Sequence, residues 1–235
     1  ILLGTVINAL NMPSISTEDA PKILPYIQLS RQLGSFLGQI IETGIKAIRI
    51  EYEGHLATLN TRPITAILLE GLLSPLLDSV NMVNAPLLAR ERDIDVTEIF
   101  NERIGDYPSL LRITITTDQQ THSIAGTLFT NAKPRIIQVD GINIEAEMAE
   151  NMLFLVNEDK PGFIGNLGTI LGDSGVNIAT FHLGRISAGS TAITLIETDQ
   201  EVSATILEDL LKIPLVKRAK SLRFYDTNRP NFLTS

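Results

Sequence analysis

Between Ser16 and Thr43 the apolar residues Ile23, Ile27, Leu33, Phe36, Leu37, Ile40 and Ile41 recur at steps of three and four where they cluster. That spacing lays one apolar stripe along a helix, which starts near Ser16 or Thr17 and is stopped by Gly44. The next segment, Ile45 to Glu53, alternates as IKAIRIEYE, the period of a half-buried strand. A second helix is expected over Pro63 to Leu77. A third opens at Asn84-Ala85-Pro86, with proline just inside its start. Four short strands follow between Ser109 and Glu147, read from LLRITITT, HSIAGTLF, RIIQV and INIEAE. Asp140-Gly141, between the last two, is a type I′ hairpin signal.

The pattern changes near Glu150. MLFLV is a continuous apolar strand, and Pro161 to Gly172 reads as a helix. VNIATFHLGRIS and STAITLIETD are strands joined by a glycine-containing turn, SATILEDLLKI is a helix and VKRAKSLRFY a last strand. The order β-α-β-β-α-β is the split βαβ, ferredoxin-like unit. The expected fold is therefore α+β in two domains, a mixed α/β domain over 16–148 and a βαββαβ domain over 149–226. Residues 227–235 form a loose tail, and the opening ILLGTVINALNMP reads as the end of a helix that begins upstream.

Composition narrows the class. The 235 residues are 44% hydrophobic and 20% charged, which fits a soluble protein long enough to bury a core without covalent staples. With no cysteine, disulfides and thiolate metal sites are excluded and a cytoplasmic location is the default. A net charge of −8 and a pI near 4.9 argue against nucleic acid or an anionic membrane as partner. No apolar run approaches the roughly 20 residues that a membrane span needs. The opening lacks a basic stretch and does not read as a signal peptide.

The most informative stretch is DKPGFIGNLGTILG, Asp159 to Gly172. Pro161 suits a first helical position, and Asp159 can cap the free amides behind it. Gly162, Gly165 and Gly168 are three apart and share one helix face. Together they would cost roughly 2–3 kcal/mol of helix propensity, so a close approach to a neighbouring backbone is expected to offset them. A dinucleotide-binding loop is the weaker reading, because the spacing is G-x-x-G-x-x-G rather than G-x-G-x-x-G. In Gly175-Val176-Asn177-Ile178-Ala179, Gly175 supplies a left-handed residue. Asn177 puts a small amide at the strand entrance, where the bland alternative is satisfaction of turn backbone.

DKPGFIGNLGTILGDSGVNIA closely resembles the ACT domain of the D-3-phosphoglycerate dehydrogenase family. ALNMPSIS, the PYI and LG of PYIQLSRQLG, IEYEG, VNAPLLARER, SIAGTLF and PRIIQVDGINIEAE extend the resemblance over essentially the whole chain. It implies that 1–15 ends a catalytic domain and its linker, that 16–148 is similar to an allosteric-substrate-binding domain, and that 149–226 is the ACT domain. It also implies a cytoplasmic regulatory region with no cofactor of its own, whose parent oxidises 3-phosphoglycerate with NAD. L-serine or a similar amino acid would bind where two ACT domains meet and inhibit the enzyme. The effector residues carried over are Asn157, Asp159, Gly162 and Asn177; many relatives have histidine or tyrosine in place of Asn157. The middle domain would bind a phosphorylated ligand, with Arg90, Arg92, Lys133 and Arg135 as candidates, although the acidic IEAEMAE departs from relatives with arginine there.

The fold order itself argues for a site between copies. Asn157 and Asp159 end one strand and Asn177 begins the next, with a helix of about 12 residues, roughly 18 Å, between them. One small ligand can touch both ends only if a second copy lies head to tail, as a two-fold axis provides. An aspartate suits an ammonium, an asparagine offers both donor and acceptor, and free helix amides favour an anion. His55, His122 and His182 are isolated, no G-x-S-x-G elbow exists, and Glu145 with Glu147 suggests no acid–base pair. No catalytic constellation is present. The alternatives are a stand-alone amino-acid sensor acting on a partner, an oligomerisation module, or the regulatory region of an L-serine dehydratase; the order of domains and the NMP segment count against the last.

Overall fold

The computed structural model describes residues 20–224. The expected helix start at Ser16 or Thr17, the upstream segment and the tail lie outside them. The first helix, α1 (Ala20–Ile40), carries the anticipated stripe, with Leu29, Leu33, Phe36, Leu37 and Ile40 fully buried. It stops short of Gly44. β1 (Ile45–Gly54) follows, then α2 (Arg62–Leu73) and α3 (Ala85–Glu91). α2 ends four residues before Leu77: Ser74 is its last cap, bonded back to the Glu70 carbonyl, and Pro75 after it has no N–H to continue the helix.

β2 (Asp95–Asn101) was not anticipated. It pairs in parallel with β1, Ala47 opposite Asp95 through Glu53 opposite Asn101. As an edge strand with mostly exposed side chains, DVTEIFN lacks the apolar alternation that marks half-buried strands. β3 (Ser109–Thr117), β4 (Thr121–Phe129), β5 (Lys133–Val139) and β6 (Ile142–Ala146) form the expected meander. The sheet order is β2-β1-β3-β4-β5-β6. Asp140 and Gly141 adopt φ of 47° and 76°, the paired positive values that a type I′ turn requires.

α1 and α2 pack on one another and cover one face of this sheet. Their backbones meet at glycine: a methyl group built at Gly34 would strike the Leu68 carbonyl, and one at Gly71 the Arg31 carbonyl.

The second sheet has the order β10-β7-β9-β8, all antiparallel, from β7 (Asn151–Glu158), β8 (Ile178–Arg185), β9 (Thr191–Thr198) and β10 (Val216–Arg223). With α4 (Phe163–Asp173) and α5 (Ala204–Leu211) this is the expected βαββαβ unit. Leu153, Leu155 and Ile196 face the helices and join Phe163, Leu167, Leu171 and Leu210 in one core. The alternate residues Met152, Phe154, Ile193 and Leu195 point the other way and join the core of the first domain. There Phe154 meets Phe36 of α1 edge-on, with ring centroids 5.5 Å apart.

Polar groups pin this junction. The Gln39 side chain behaves as a short strand edge, accepting from the Arg223 amide at 2.8 Å and donating to the Arg223 carbonyl at 3.0 Å. Arg218 donates to the Ile40 carbonyl at the end of α1, while Lys220 holds Glu42 at 2.7 Å. That ammonium keeps the Glu42 carboxyl below the usual carboxylate range.

Gly34→Ala or Gly71→Ala should lower stability by about 1–3 kcal/mol or more, because backbone cannot yield to a new methyl as a side chain can. Urea unfolding should show the midpoint falling at unchanged slope.

Candidate functional site

Strand register places the polar residues of the second domain. Glu158 at the end of β7 lies opposite Thr191, and Ala192 beside it lies opposite Arg185, so Asp159 and the end of β8 share one rim of the sheet. Ile178 pairs with Thr198 at the far rim, where Asn177 enters. The two groups thus sit at opposite ends of the eight-residue β8, roughly 25 Å apart along the strand.

At the first rim Asp159 does not cap the helix. Its Oδ2 accepts from Arg185 Nη1 and, at 3.2 Å, from the Gly189 amide. Its backbone N–H donates to the Ser190 carbonyl at 2.9 Å, tying the β8–β9 turn to the strand end. The Arg185 guanidinium, then the Gly189 amide, hold the Asp159 carboxyl below the ordinary aspartate value. Pro161 also lies outside the helix, which opens at Phe163 with Gly162 as its uncapped N-terminal neighbour. Gly162 has φ of 92°, so it serves the turn and adds nothing to the helix-interior cost.

Asp159, Lys160, Pro161, Gly162, Ile164, Gly165, Arg185, Ala188 and Gly189 line an open hollow of about 690 Å³. Asn157 does not join them. It is wholly buried beneath the helices, accepting from Thr194 Oγ1 at 2.9 Å and donating to the Glu158 carbonyl at 3.2 Å. With no exposed atom it offers no ligand contact, and it braces the strand end from behind. The reason is parity: position 157 shares the inward face with Leu153 and Leu155, two residues apart along the strand.

At the far rim Gly175 has φ of 72° and closes the helix with the left-handed turn expected of it. Asn177 is exposed, and its amide donates to Asp199 Oδ2 at 2.8 Å. Nothing lies within 4 Å of a methyl built at Gly165, Gly168 or Gly172. Among the described residues, the close backbone approach expected to offset Gly165 and Gly168 is therefore absent, and that face of α4 is open.

The four cations considered for a phosphorylated ligand do not converge. Arg90 and Arg92 sit at the end of α3 beside β2, whereas Lys133 and Arg135 lie on β5. β1, β3 and β4 intervene, a separation near 19 Å at about 4.8 Å per strand. Arg135 is also paired with Glu147 and stacked over Phe129. Among the described residues no group of three or more His, Asp or Glu side chains is placed to hold a metal ion. No described helix is long and apolar enough to cross a membrane.

Comparison with known proteins agrees with this architecture. Residues 22–140 match the D-3-phosphoglycerate dehydrogenase intervening domain, and residues 151–215 match the ACT domain. The chain belongs to the D-3-phosphoglycerate dehydrogenase family. It is 33% identical to the D-3-phosphoglycerate dehydrogenase of Bacillus subtilis over 92% of its own length and 41% of that protein's. It is 35% identical to the Methanocaldococcus jannaschii D-3-phosphoglycerate dehydrogenase, over 89% and 40% respectively. The chain thus spans about two fifths of the length of the relatives it matches.

Sequence reasoning missed Arg185. It is 26 residues from Asp159, and its one local signal is a lone arginine at a strand end before a glycine turn.

Because the Asp159 carboxyl is lowered by its folded partners, this ion pair contributes stability above the unfolded aspartate range and loses it as pH falls through the lower folded value. Carbon-detected NMR titration should find Asp159 ionised below the ordinary aspartate range, and Arg185→Gln should move its midpoint upward.

Proposed function

We propose that this chain is the regulatory region of an NAD-dependent, cytoplasmic D-3-phosphoglycerate dehydrogenase. In this reading L-serine or a similar small amino acid binds between two ACT domains and inhibits oxidation of 3-phosphoglycerate elsewhere in the full protein. One observation carries it: β8 is an edge strand with Asp159 and Arg185 near one end and Asn177 at the other. Antiparallel pairing of β8 with its two-fold mate brings Asn177 of one copy beside the hollow of the other, twice. The open glycine face of α4, which flanks this edge, would meet its mate in the same act and recover the helix propensity spent on glycine.

The ligand then bridges two chains. Asp159 accepts from an ammonium, and the partner copy's Asn177 supplies a donor and an acceptor for the remaining polar group. Inhibition follows only if the amino acid binds one arrangement of the subunits better than another. The open glycine face equally favours a second reading, in which the domain assembles subunits without a ligand. A stand-alone sensor acting on a partner would use the same site.

Calorimetry should detect L-serine binding at millimolar ligand or below, and Asn177→Ala should weaken it at least about tenfold. No heat from the parent chain removes the effector reading; self-association that survives such a result favours the assembly reading. Gly168→Ala should separate folding from assembly. It should stabilise the isolated chain by up to about 1 kcal/mol through helix propensity and weaken self-association in analytical ultracentrifugation.

A further inference from the structure

The effector reading assigns Asp159 and Asn177 to a ligand but leaves the ligand's carboxylate without a cation. Resting on that reading, we infer that Arg185 binds the α-carboxylate, so that the Asp159–Arg185 pair recognises the zwitterion as a unit.

Both members of the pair have capacity to spare. Asp159 spends Oδ2 on Arg185 and Gly189, and among the described residues Oδ1 has no hydrogen bond. Arg185 spends Nη1 on Asp159, which among the described residues leaves Nε–H and the second terminal nitrogen as donors. Its side chain is half exposed and lines the hollow with Gly162 and Gly165. A free carboxylate oxygen and free guanidinium donors therefore stand side by side, the complement of the ammonium and carboxylate on one α-carbon.

Charge balance favours the same ligand class. An aspartate–arginine pair is neutral, so a zwitterion adds no net charge to the rim, whereas a simple anion or cation would leave one ion opposed by its like. Lys160, the other cation lining the hollow, is held by Glu158 at 2.6 Å. The planar fork of arginine matches a carboxylate in two parallel hydrogen bonds, a geometry that lysine lacks. With both ends of the amino acid held by one chain, Asn177 of the second copy is left to read the side chain. Selectivity among amino acids then belongs to the partner, and selectivity for amino acids as a class belongs to Asp159 and Arg185.

The test titrates L-serine and L-serinamide, which lacks the carboxylate, into the parent chain and into Arg185→Gln, Arg185→Lys and Asn177→Ala. Arg185→Gln should weaken L-serine by about 10- to 100-fold, the worth of a charged hydrogen-bonded contact, and Arg185→Lys should recover part of it. L-Serinamide should bind the parent and Arg185→Gln alike. If Arg185→Gln binds L-serine within about twofold of the parent while Asn177→Ala does not, the role given to Arg185 is wrong and the interchain site stands. If Arg185→Gln loses self-association together with binding, Arg185 is an assembly residue and the inference falls. If the parent chain binds neither compound, the effector reading fails and takes this inference with it.

Discussion

Backbone hydrogen bonds that hold β9 between β7 and β8 decide where each polar group of the second domain can sit. Because β7 and β8 both run antiparallel to β9, the end of β7 and the end of β8 share a rim, and the start of β8 lies at the other. A ligand the size of an amino acid cannot span a strand of eight residues. Among the described residues β8 is the last strand of its sheet, an edge whose backbone groups another strand can satisfy. One constraint thus separates the groups and supplies the edge along which, in the proposed function, a second copy would reunite them.

That edge is presented on a rigid body. The ACT sheet has helices on one face and would expose Met152, Phe154, Ile193 and Leu195 on the other, were they not buried in the core of the intervening domain. Burial of one such side chain contributes about 1.5–3 kcal/mol, so the two domains are held as one unit rather than tethered. Gln39 and Arg218 add direction to this apolar contact, since each bonds to backbone at a fixed height along β10 or α1.

The basic residues of the intervening domain show how little composition says about convergence. Arg135 is used at home, paired with Glu147 and laid over Phe129. Arg90 and Arg92 belong to the opposite end of a six-stranded sheet. The acidic turn into the second domain, where Glu147 stands, is the partner of Arg135 rather than a departure without consequence.

Element order was legible from the residues alone, because it depends on local preferences. The stripe of α1, the alternation of β1, the Asp140-Gly141 turn and the left-handed Gly175 each require only their own neighbours, and each stands as expected. β2 was hidden because an exposed edge strand needs no apolar alternation. Helix α4 was placed two residues too early, since Gly162 looked like a helix interior and serves as its entrance. The burial of Asn157 depends on which face of β7 meets the helices, and the Asp159–Arg185 pair on register across three strands. The empty space beside Gly165 and Gly168 depends on what lies laterally beyond the sheet edge. Sequence specifies contacts within a turn or a strand; these three are set by how strands far apart in the chain are laid side by side, and only the folded structure decides them.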